Sequence, residues 1–250
     1  MTDLPADLRH ALTEVARLPR ILVASDFDGT LAPIVNRPAD ARPLPAAAAA
    51  LTELADVTDT VVALVSGRSV TDLAALSSAP ATIHLIGSHG AESSAGFTQE
   101  IDTALLAEIT ATLSDIAAAH PGATVETKPA SVALHVRNAQ PDDAAAACAA
   151  ARTASAGWQA ELTEGKAVME YAVISTDKGE ALDILRQREN CSAVVYFGDD
   201  VTDEKAFRRM RGADVGVKVG PGETLAAYRV DSPDDVATAL ELLLAQRRNR

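Results

Sequence analysis

Strand-length apolar runs that end in polar side chains constrain the fold of this chain most. The run at residues 21–26 ends in Asp26, and a second carboxylate follows at Asp28 before a Gly-Thr turn. The run at 60–66 ends in a hydroxyl, and the run at 193–199 ends in an acidic segment. Ligands of open parallel sheets bind just beyond the carboxyl ends of the strands. The sequence therefore predicts a parallel sheet with its chemistry at that edge.

The order of the remaining runs predicts two kinds of architecture. Strands and helices alternate up to about residue 88 and again after residue 177, which is typical of a parallel sheet with helices on both faces. Between about residues 96 and 173 the expected order is helix (102–119), strand (123–128), strand (131–136), helix (141–156), strand (158–163) and strand (167–173). The short connections in this segment predict hairpins. We expect an α/β fold in which residues 1–94 and 174–250 form a doubly wound core, and residues 95–173 form an inserted domain with an antiparallel sheet and two helices.

Four separate elements bring charged or hydroxyl groups toward the predicted site. They are the Asp26 and Asp28 pair, Ser66 after the second strand, Lys178 at the start of a helix, and the acidic segment G-D-D-V-T-D-E at residues 198–204. Two carboxylates ~4 Å apart repel by roughly 4 kcal/mol at an effective dielectric constant of about 20, so a cation, a shared proton or a lysine must offset the pair. Each element alone also fits a turn, a helix cap or a helix dipole. These local explanations do not account for the occurrence of all four elements together.

In this order the four elements resemble the four motifs of the haloacid dehalogenase (HAD) superfamily of phosphotransferases. Three further segments, at residues 87–92 (G-S-H-G-A-E), 126–137 and 165–170, resemble the trehalose-6-phosphate phosphatases, as does G-D-D-V-T-D-E. The resemblance extends from about residue 21 to residue 219. It implies a HAD-like core and a cap domain inserted between the second and third motifs.

The resemblance also implies roles for the motif residues. Asp26 would be the nucleophile that takes the phosphoryl group, and Asp28 would be the general acid and base. Ser66 and Lys178 would hold phosphate oxygens. Asp199 would bind Mg²⁺ together with Asp26 and the backbone carbonyl of Asp28. The chemistry agrees, because a carboxylate that attacks a phosphate dianion needs a hard cation, and an alkoxide leaving group needs a proton. The roles of Asp200, Asp203 and His89 stay open.

The substrate contacts implied by the resemblance are cationic and acidic side chains, mostly of the inserted domain: Arg68, Glu126, Lys128, Arg137, Lys166 and Glu170. Strand alternation places Glu126 with Lys128 on one face, and it gives Lys166 and Glu170 the same parity on the fourth strand of this domain. Such a face suits a polyhydroxylated sugar, and a salt-bridged solvent face is the alternative. The family usually has an Arg-Pro pair two residues after Glu170, where this chain has Ala172 and Val173.

The net charge and the cysteine content limit the classes of binding partner and the cellular location that we expect. The chain has 22 basic and 35 acidic residues and a net charge of −13, which argues against nucleic acid and anionic membranes. Residues 1–18 contain acidic side chains and no long apolar run, so we expect neither secretion nor membrane insertion. The two cysteines lack metal-ligand spacing, which favours a cytoplasmic protein. We expect a monomer that acts on a small sugar phosphate.

The resemblance implies a Mg²⁺-dependent phosphatase that hydrolyses trehalose 6-phosphate through an aspartyl phosphate, the last step of trehalose biosynthesis. A phosphatase for sucrose 6-phosphate or a similar sugar phosphate is one alternative. A phosphosugar mutase is another, because mutases also use a D-x-D-G-T motif. A catalytically silent sugar-phosphate sensor is disfavoured, since every expected catalytic residue is present.

Overall fold

The computed structural model describes residues 4–97, 99–175 and 177–250. Within these ranges the helices are α1 (Ala6–Ala16), α2 (Pro45–Ala55), α3 (Val70–Ser77), α4 (Thr103–Ala119), α5 (Pro141–Ala154), α6 (Lys178–Arg188), α7 (Asp203–Arg208) and α8 (Pro233–Arg248). The strands are β1 (Ile21–Ser25), β2 (Thr60–Val65), β3 (His84–Gly87), β4 (Glu92–Ser93), β5 (Gly96–Phe97), β6 (Thr124–Thr127), β7 (Ser131–His135), β8 (Glu161–Gly165), β9 (Val168–Ala172), β10 (Ala193–Gly198), β11 (Val215–Val219) and β12 (Tyr228–Val230). The short strands β4, β5 and β12 were not expected from the sequence.

The larger sheet has the strand order β12-β11-β10-β1-β2-β3-β4-β5. Strand β1 pairs in parallel with β10 on one side and with β2 on the other, so Ile21 lies opposite both Ala193 and Thr60. The pairing from β12 to β3 is parallel throughout. The carboxyl ends of β1, β2 and β10 therefore meet at one edge of the sheet.

Both faces of this sheet are covered by helices, which explains the continuous apolar runs. Alternate residues of β1 point to opposite faces. Ile21 and Val23 pack in one buried cluster with residues of α1, α2, α3 and α8. Leu22 and Ala24 pack in a second cluster with residues of α6 and α7. The expected doubly wound arrangement with helices on both faces is present.

A second sheet has the order β6-β7-β9-β8, and all of its pairings are antiparallel. One face of this sheet packs against α4 and α5 through a cluster that contains Ile109, Leu134, Ala147 and Met169. The opposite face carries the alternate residues of each strand, among them Glu126. This sheet therefore has one apolar face and one polar face.

The described residues form two compact units. One consists of Met1–Gly96 and Asp177–Arg250, and the other of Phe97–Thr176. The first contains the parallel strands, and the second contains the antiparallel sheet. No helix in the described part of the chain is long and apolar enough to cross a membrane.

The strand expected at 158–163 lies instead at Glu161–Gly165. The shift follows from Trp158, whose ring packs edge-on against Tyr171 with centroids 5.1 Å apart and whose Nε1 donates to Glu108 at 3.1 Å. Residues 158–160 therefore form a packed connection rather than a strand. The next two strands form a hairpin in which Gly165 pairs with Val168, so Lys166 lies in the turn and not on a strand.

Candidate active site

The first strand delivers Asp26 to the carboxyl edge of the parallel sheet. The N–H of Asp26 donates to the carbonyl of Phe197 at 2.9 Å, which extends the β1–β10 ladder by one residue. The chain then turns at Gly29, whose φ of 87° is in the left-handed region. A Cβ atom at Gly29 would lie 2.3 Å from Oδ2 of Asp199. Glycine therefore lets the Asp199 carboxylate approach the turn that follows Asp26 and Asp28.

Lys178 links two buried carboxylates. Its Nζ donates to Oδ1 of Asp26 at 2.7 Å and to Oδ1 of Asp203 at 2.8 Å. The lysine side chain is 2% exposed, and that of Asp203 is fully buried. The carboxylate of Asp177 caps α6 by accepting the N–H of Glu180 at 3.0 Å, which fixes the first helical turn on which Lys178 lies. Lys178 therefore lies beside Asp26, and its expected contact with phosphate oxygens stays a prediction.

Asp203, whose role the sequence left open, is the centre of this network. Besides Lys178, its Oδ1 accepts the hydroxyl of Tyr196 at 2.7 Å. Its Oδ2 accepts the backbone N–H groups of Asp199 and Asp200, each at 2.9 Å. Both oxygens are thus saturated by donors from three elements. Asp203 therefore links Lys178, Tyr196 and the Asp199–Asp200 backbone, in addition to complementing the dipole of α7.

The electrostatics of this network follow from its burial. Burial, opposed by the ammonium of Lys178 and reinforced by the neighbouring carboxylates of Asp203 and Asp199, raises the pKa of Asp26 well above its usual range. Burial acts to raise the pKa of Asp203 as well, but the charge of Lys178 and the backbone donors hold that pKa low. For Lys178, burial acts to lower the pKa, and the two carboxylates outweigh it and raise the pKa. A further cation beside Asp26 would favour its ionised form.

The second carboxylate of the first motif, Asp28, is held by Arg68. The guanidinium donates from Nε and Nη2 to the two carboxylate oxygens of Asp28, both at 2.6 Å. Nη2 also donates to the carbonyl of Pro38 at 2.9 Å, and the guanidinium lies 5.7 Å from the ring centroid of Phe27. The sequence-based expectation was a substrate contact for Arg68. In the structure this residue orients Asp28.

Ser66 is buried at the carboxyl end of β2, and its hydroxyl accepts the backbone N–H of Arg68 at 3.2 Å. The G-S-H-G-A-E segment supports this turn. The N–H of His89 donates to the carbonyl of Ser66 at 2.9 Å, and the N–H of Ser88 donates to the carbonyl of Arg68 at 2.7 Å. A Cβ at Gly67 would lie 2.4 Å from the His89 ring. His89 therefore packs on the turn that presents Ser66.

Three carboxylates could hold a metal ion. Asp26, Asp199 and Asp203 each offer an oxygen atom, and these atoms lie within 4.8 Å of one another. An all-oxygen donor set of this kind suits a hard divalent cation. The side chain of Asp28 is engaged by Arg68 and is not part of this set, which leaves its backbone carbonyl as the predicted ligand.

The polar face of the antiparallel sheet contains a second cluster of predicted residues. Nζ of Lys128 donates to both carboxylate oxygens of Glu170 at 2.9 Å, and the hydroxyl of Ser131 donates to the same carboxylate at 2.6 Å. Glu126 and His135 share a hydrogen bond of 2.8 Å on this face, and that bond lowers the pKa of Glu126. The structure therefore brings Glu126, Lys128 and Glu170 onto one surface of the second unit.

Arg137 and Lys166 are placed differently. Both side chains are exposed, and neither residue lies on a strand. Arg137 follows the end of β7, and Lys166 lies in the β8–β9 turn beside Ala167, whose φ is 62°. The expected parity of Lys166 with Glu170 is wrong, because the turn interrupts the alternation.

Two buried polar residues at the edge of the parallel sheet were missed by the sequence analysis. Tyr196 lies in the apolar run of β10 and donates to Asp203, and Lys218 lies in the run V-G-V-K-V-G of β11. Lys218 is 5% exposed, and its Nζ donates to the backbone carbonyl of Asp199. A lysine within a buried strand is uncommon unless it is paired, and this was the signal available in the sequence.

Comparisons with known proteins agree with this architecture. The family model described as trehalose-phosphatase matches residues 24–234. The trehalose-phosphate phosphatase of Mycobacterium avium (strain 104) is 37% identical over 272 residues, which cover 98% of this chain and 68% of the relative. The trehalose-6-phosphate phosphatase of Escherichia coli (strain K12) is 34% identical over 233 residues, which cover 89% of this chain and 87% of the relative.

Solved structures show the same fold. The C-terminal domain of the C. albicans trehalose-6-phosphate phosphatase has a TM-score of 0.85 at 23% identity and covers 97% of this chain and 98% of its own. A trehalose-6-phosphate phosphatase related protein has a TM-score of 0.76 at 24% identity, with 91% and 99% of the chains covered. The expected HAD-like α/β fold with an inserted α/β domain is confirmed.

Proposed function

Because the chain belongs to the trehalose-phosphatase family, we propose that it hydrolyses trehalose 6-phosphate to trehalose and phosphate. The relatives from M. avium and E. coli bear the names of enzymes with this activity. The observation that carries the proposal is the position of Asp26, at the carboxyl end of a central parallel strand and within 2.7 Å of the buried ammonium of Lys178. An anion that attacks a phosphate ester needs such a cation beside it.

In the first half of the reaction, Asp26 attacks the phosphorus atom. Lys178 donates to Oδ1 of Asp26 and so holds the carboxylate in place for the attack, in which one carboxylate oxygen forms the new P–O bond. As that bond forms, the bond from phosphorus to the sugar oxygen breaks. Asp28 gives its proton to the departing oxygen, which leaves as the sugar hydroxyl. Proton donation of this kind is worth roughly 10²- to 10⁴-fold in rate.

In the second half, Asp28 removes a proton from water, and the water oxygen attacks the phosphorus of the aspartyl phosphate. Phosphate leaves and the Asp26 carboxylate is regenerated. Arg68 orients Asp28 before substrate arrives, and Asp28 must exchange this contact for one with the leaving oxygen. Ser66 and Lys178 hold the phosphate oxygens through their hydroxyl and ammonium donors.

We propose that the metal is Mg²⁺, held by Asp26, Asp199 and the backbone carbonyl of Asp28. The all-oxygen donor set and the approach of Asp199 allowed by Gly29 support this assignment. When bound, Mg²⁺ supplies positive charge that screens the nucleophile from the phosphate dianion. Asp203 is better described as a positioning residue, because its two oxygens already accept four hydrogen bonds.

We propose that residues 1–94 and 174–250 form the catalytic core, and that residues 95–173 form the domain that selects the sugar. Glu126, Lys128 and Glu170 present charged groups on one face of the antiparallel sheet, which suits a neutral polyhydroxylated ring. Arg137, which follows β7, and Lys166, in the β8–β9 turn, would add donors from exposed positions of the same domain. Charge-assisted hydrogen bonds to sugar hydroxyls are the expected interactions.

The proposal also covers the cellular location and the oligomeric state. Cys148 and Cys191 are both free thiols, which supports a reducing, cytosolic location. The expected monomer stays a prediction that sedimentation equilibrium would check.

The test is phosphate release from trehalose 6-phosphate, sucrose 6-phosphate and glucose 6-phosphate by the full chain, with Asp26→Asn as the matched control. We expect kcat/KM to be highest for trehalose 6-phosphate by at least about tenfold, the effect of a single lost charge-assisted contact. Preference for sucrose 6-phosphate would overturn the substrate assignment. Isomerised sugar phosphate without phosphate release would identify a mutase.

A further inference from the structure

Lys218 is a buried cation that the proposed reaction does not use. It lies on β11, where every residue from Val215 to Val219 is buried. Burying an ammonium group is costly unless it is hydrogen-bonded, so the partner of Lys218 indicates what it stabilises. That partner is the backbone carbonyl of Asp199.

The backbone of the Asp199–Asp200 segment is held from opposite sides. Its two N–H groups donate to Oδ2 of Asp203, each at 2.9 Å. Its first carbonyl accepts from Lys218. Strand register explains why Lys218 reaches this carbonyl, since it pairs with Gly198, the residue immediately before the segment. The peptide that carries the Asp199 side chain is thereby fixed by charged groups on both its donors and its acceptor.

We propose that Lys218 is a positioning residue that holds the Asp199 carboxylate in place for the divalent metal. This inference rests on the proposed metal role of Asp199. Lys218 acts through the backbone of that ligand, as groups that orient metal ligands commonly do, and removing such groups costs roughly 10- to 100-fold in metal affinity.

Simple electrostatics predicts the opposite effect. Lys218 carries a positive charge close to a cation site, so removing the charge alone would tighten metal binding. The two effects therefore differ in sign. A single variant that removes the ammonium without adding bulk can separate them.

The experiment compares the full-length parent with Lys218→Met, using Lys218→Gln if the methionine variant does not fold. Arg229→Met is the matched control, because Arg229 also donates to backbone carbonyls, those of Gly220 and Gly222 beyond the end of β11, and it does not contact Asp199. Mg²⁺ binding is measured by calorimetry on metal-stripped protein. Amide hydrogen exchange of residues 198–203 is measured in the same metal-free samples.

We expect Lys218→Met to weaken Mg²⁺ binding at least about tenfold and to speed exchange in residues 198–203, while Arg229→Met changes neither by more than about threefold. Saturating Mg²⁺ should restore most of the kcat of Lys218→Met, since the reacting groups remain. Affinity that is unchanged or tighter in Lys218→Met overturns the inference. If the parent binds no Mg²⁺, the proposed metal role fails, and exchange alone then decides whether Lys218 positions this segment.

Discussion

Replacing Asp203 with asparagine tests whether one buried carboxylate organises the site. The substitution keeps the shape of the side chain but turns one acceptor oxygen into an NH₂ group. Oδ1 accepts from Lys178 and Tyr196, and Oδ2 accepts from the N–H groups of Asp199 and Asp200. Whichever way the amide is oriented, two donors face NH₂ and lose their acceptor.

The size of the effect follows from these four bonds. A buried donor left without a partner costs about 1–3 kcal/mol, and breaking one side of a buried ion pair costs about 3–5 kcal/mol. Lys178 keeps Asp26 as a second partner, so we expect the free energy of unfolding to fall by about 3–5 kcal/mol and not more. For a chain of this length, that loss lowers Tm by roughly 6–20 °C.

The assay is urea unfolding followed by far-ultraviolet circular dichroism, because the single tryptophan, Trp158, lies in the other compact unit and would not report on this network. Tyr196→Phe is the matched control. It removes one of the four donors and leaves the carboxylate, so it should cost only about 1–2 kcal/mol.

Turnover should fall by at least about a hundredfold in Asp203→Asn, since either Lys178 or the Asp199 segment loses its anchor, depending on how the amide is oriented. An Asp203→Asn protein that is within 1 kcal/mol of the parent in stability and also retains parent turnover would refute the central role of this carboxylate.

Three further predictions concern the nucleophile, the metal and the sugar. Asp26→Asn should fold but lose turnover, because an amide cannot form an acyl phosphate, and a phosphate-release rate within tenfold of the parent would contradict the assignment. EDTA should abolish turnover and the binding of inorganic phosphate, and added Mg²⁺ should restore both. Asp199→Ala should raise the Mg²⁺ concentration needed for turnover. Full activity after exhaustive chelation would be incompatible with the charge argument. Lys128→Ala and Glu170→Ala should lower kcat/KM for trehalose 6-phosphate roughly 10- to 100-fold but leave p-nitrophenyl phosphate nearly unaffected, whereas equal losses on both substrates would assign them to the fold. The same comparison for Lys166→Ala decides whether this exposed side chain contacts sugar.

The sequence predicted that several polar side chains share one edge of the sheet, because parallel strands obey a simple rule. Asp26 and Ser66 each follow an apolar strand, and the parallel register brings such strand ends to one edge. Lys178 was found by its place at the start of a helix after the inserted segment. For these residues, the local sequence pattern and the sheet topology together determine which side chains lie close to one another.

The contacts of Asp203 and Lys218 were beyond this kind of reasoning. Asp203 occupies the first turn of α7, where an acidic side chain needs no further explanation. Its partnership with Lys178 crosses 25 positions of sequence and depends on how α6 and α7 pack. The lysine in the otherwise apolar run of β11 indicates that Lys218 is paired, but its partner, a backbone carbonyl on the neighbouring strand's extension, depends on strand order and register. The prediction for Lys166 was wrong for a different reason. Alternate residues share a face only within one continuous strand, and Lys166 lies in a turn before the strand begins.

The charges at this edge of the sheet favour the binding of a divalent cation. Asp26, Asp28 and Asp203 are bonded to Lys178 or Arg68, and Lys218 contacts the backbone of the acidic segment. With the side chains of Asp199 and Asp200 included, five carboxylates and three cations lie at this edge, an excess of two negative charges when all of them are ionised. Burial is the main cause of the raised pKa of Asp26, and the neighbouring carboxylates of Asp203 and Asp199 add to it.

A phosphate dianion entering such a site would meet like charge. Two unit charges ~5 Å apart at an effective dielectric constant of about 20 repel by roughly 3 kcal/mol, and each excess negative charge would repel both charges of the dianion. One divalent cation removes the excess. On the proposed metal assignment, the cation is needed for substrate binding as well as for the reaction, so we expect the binding of inorganic phosphate to depend on Mg²⁺ as strictly as turnover does.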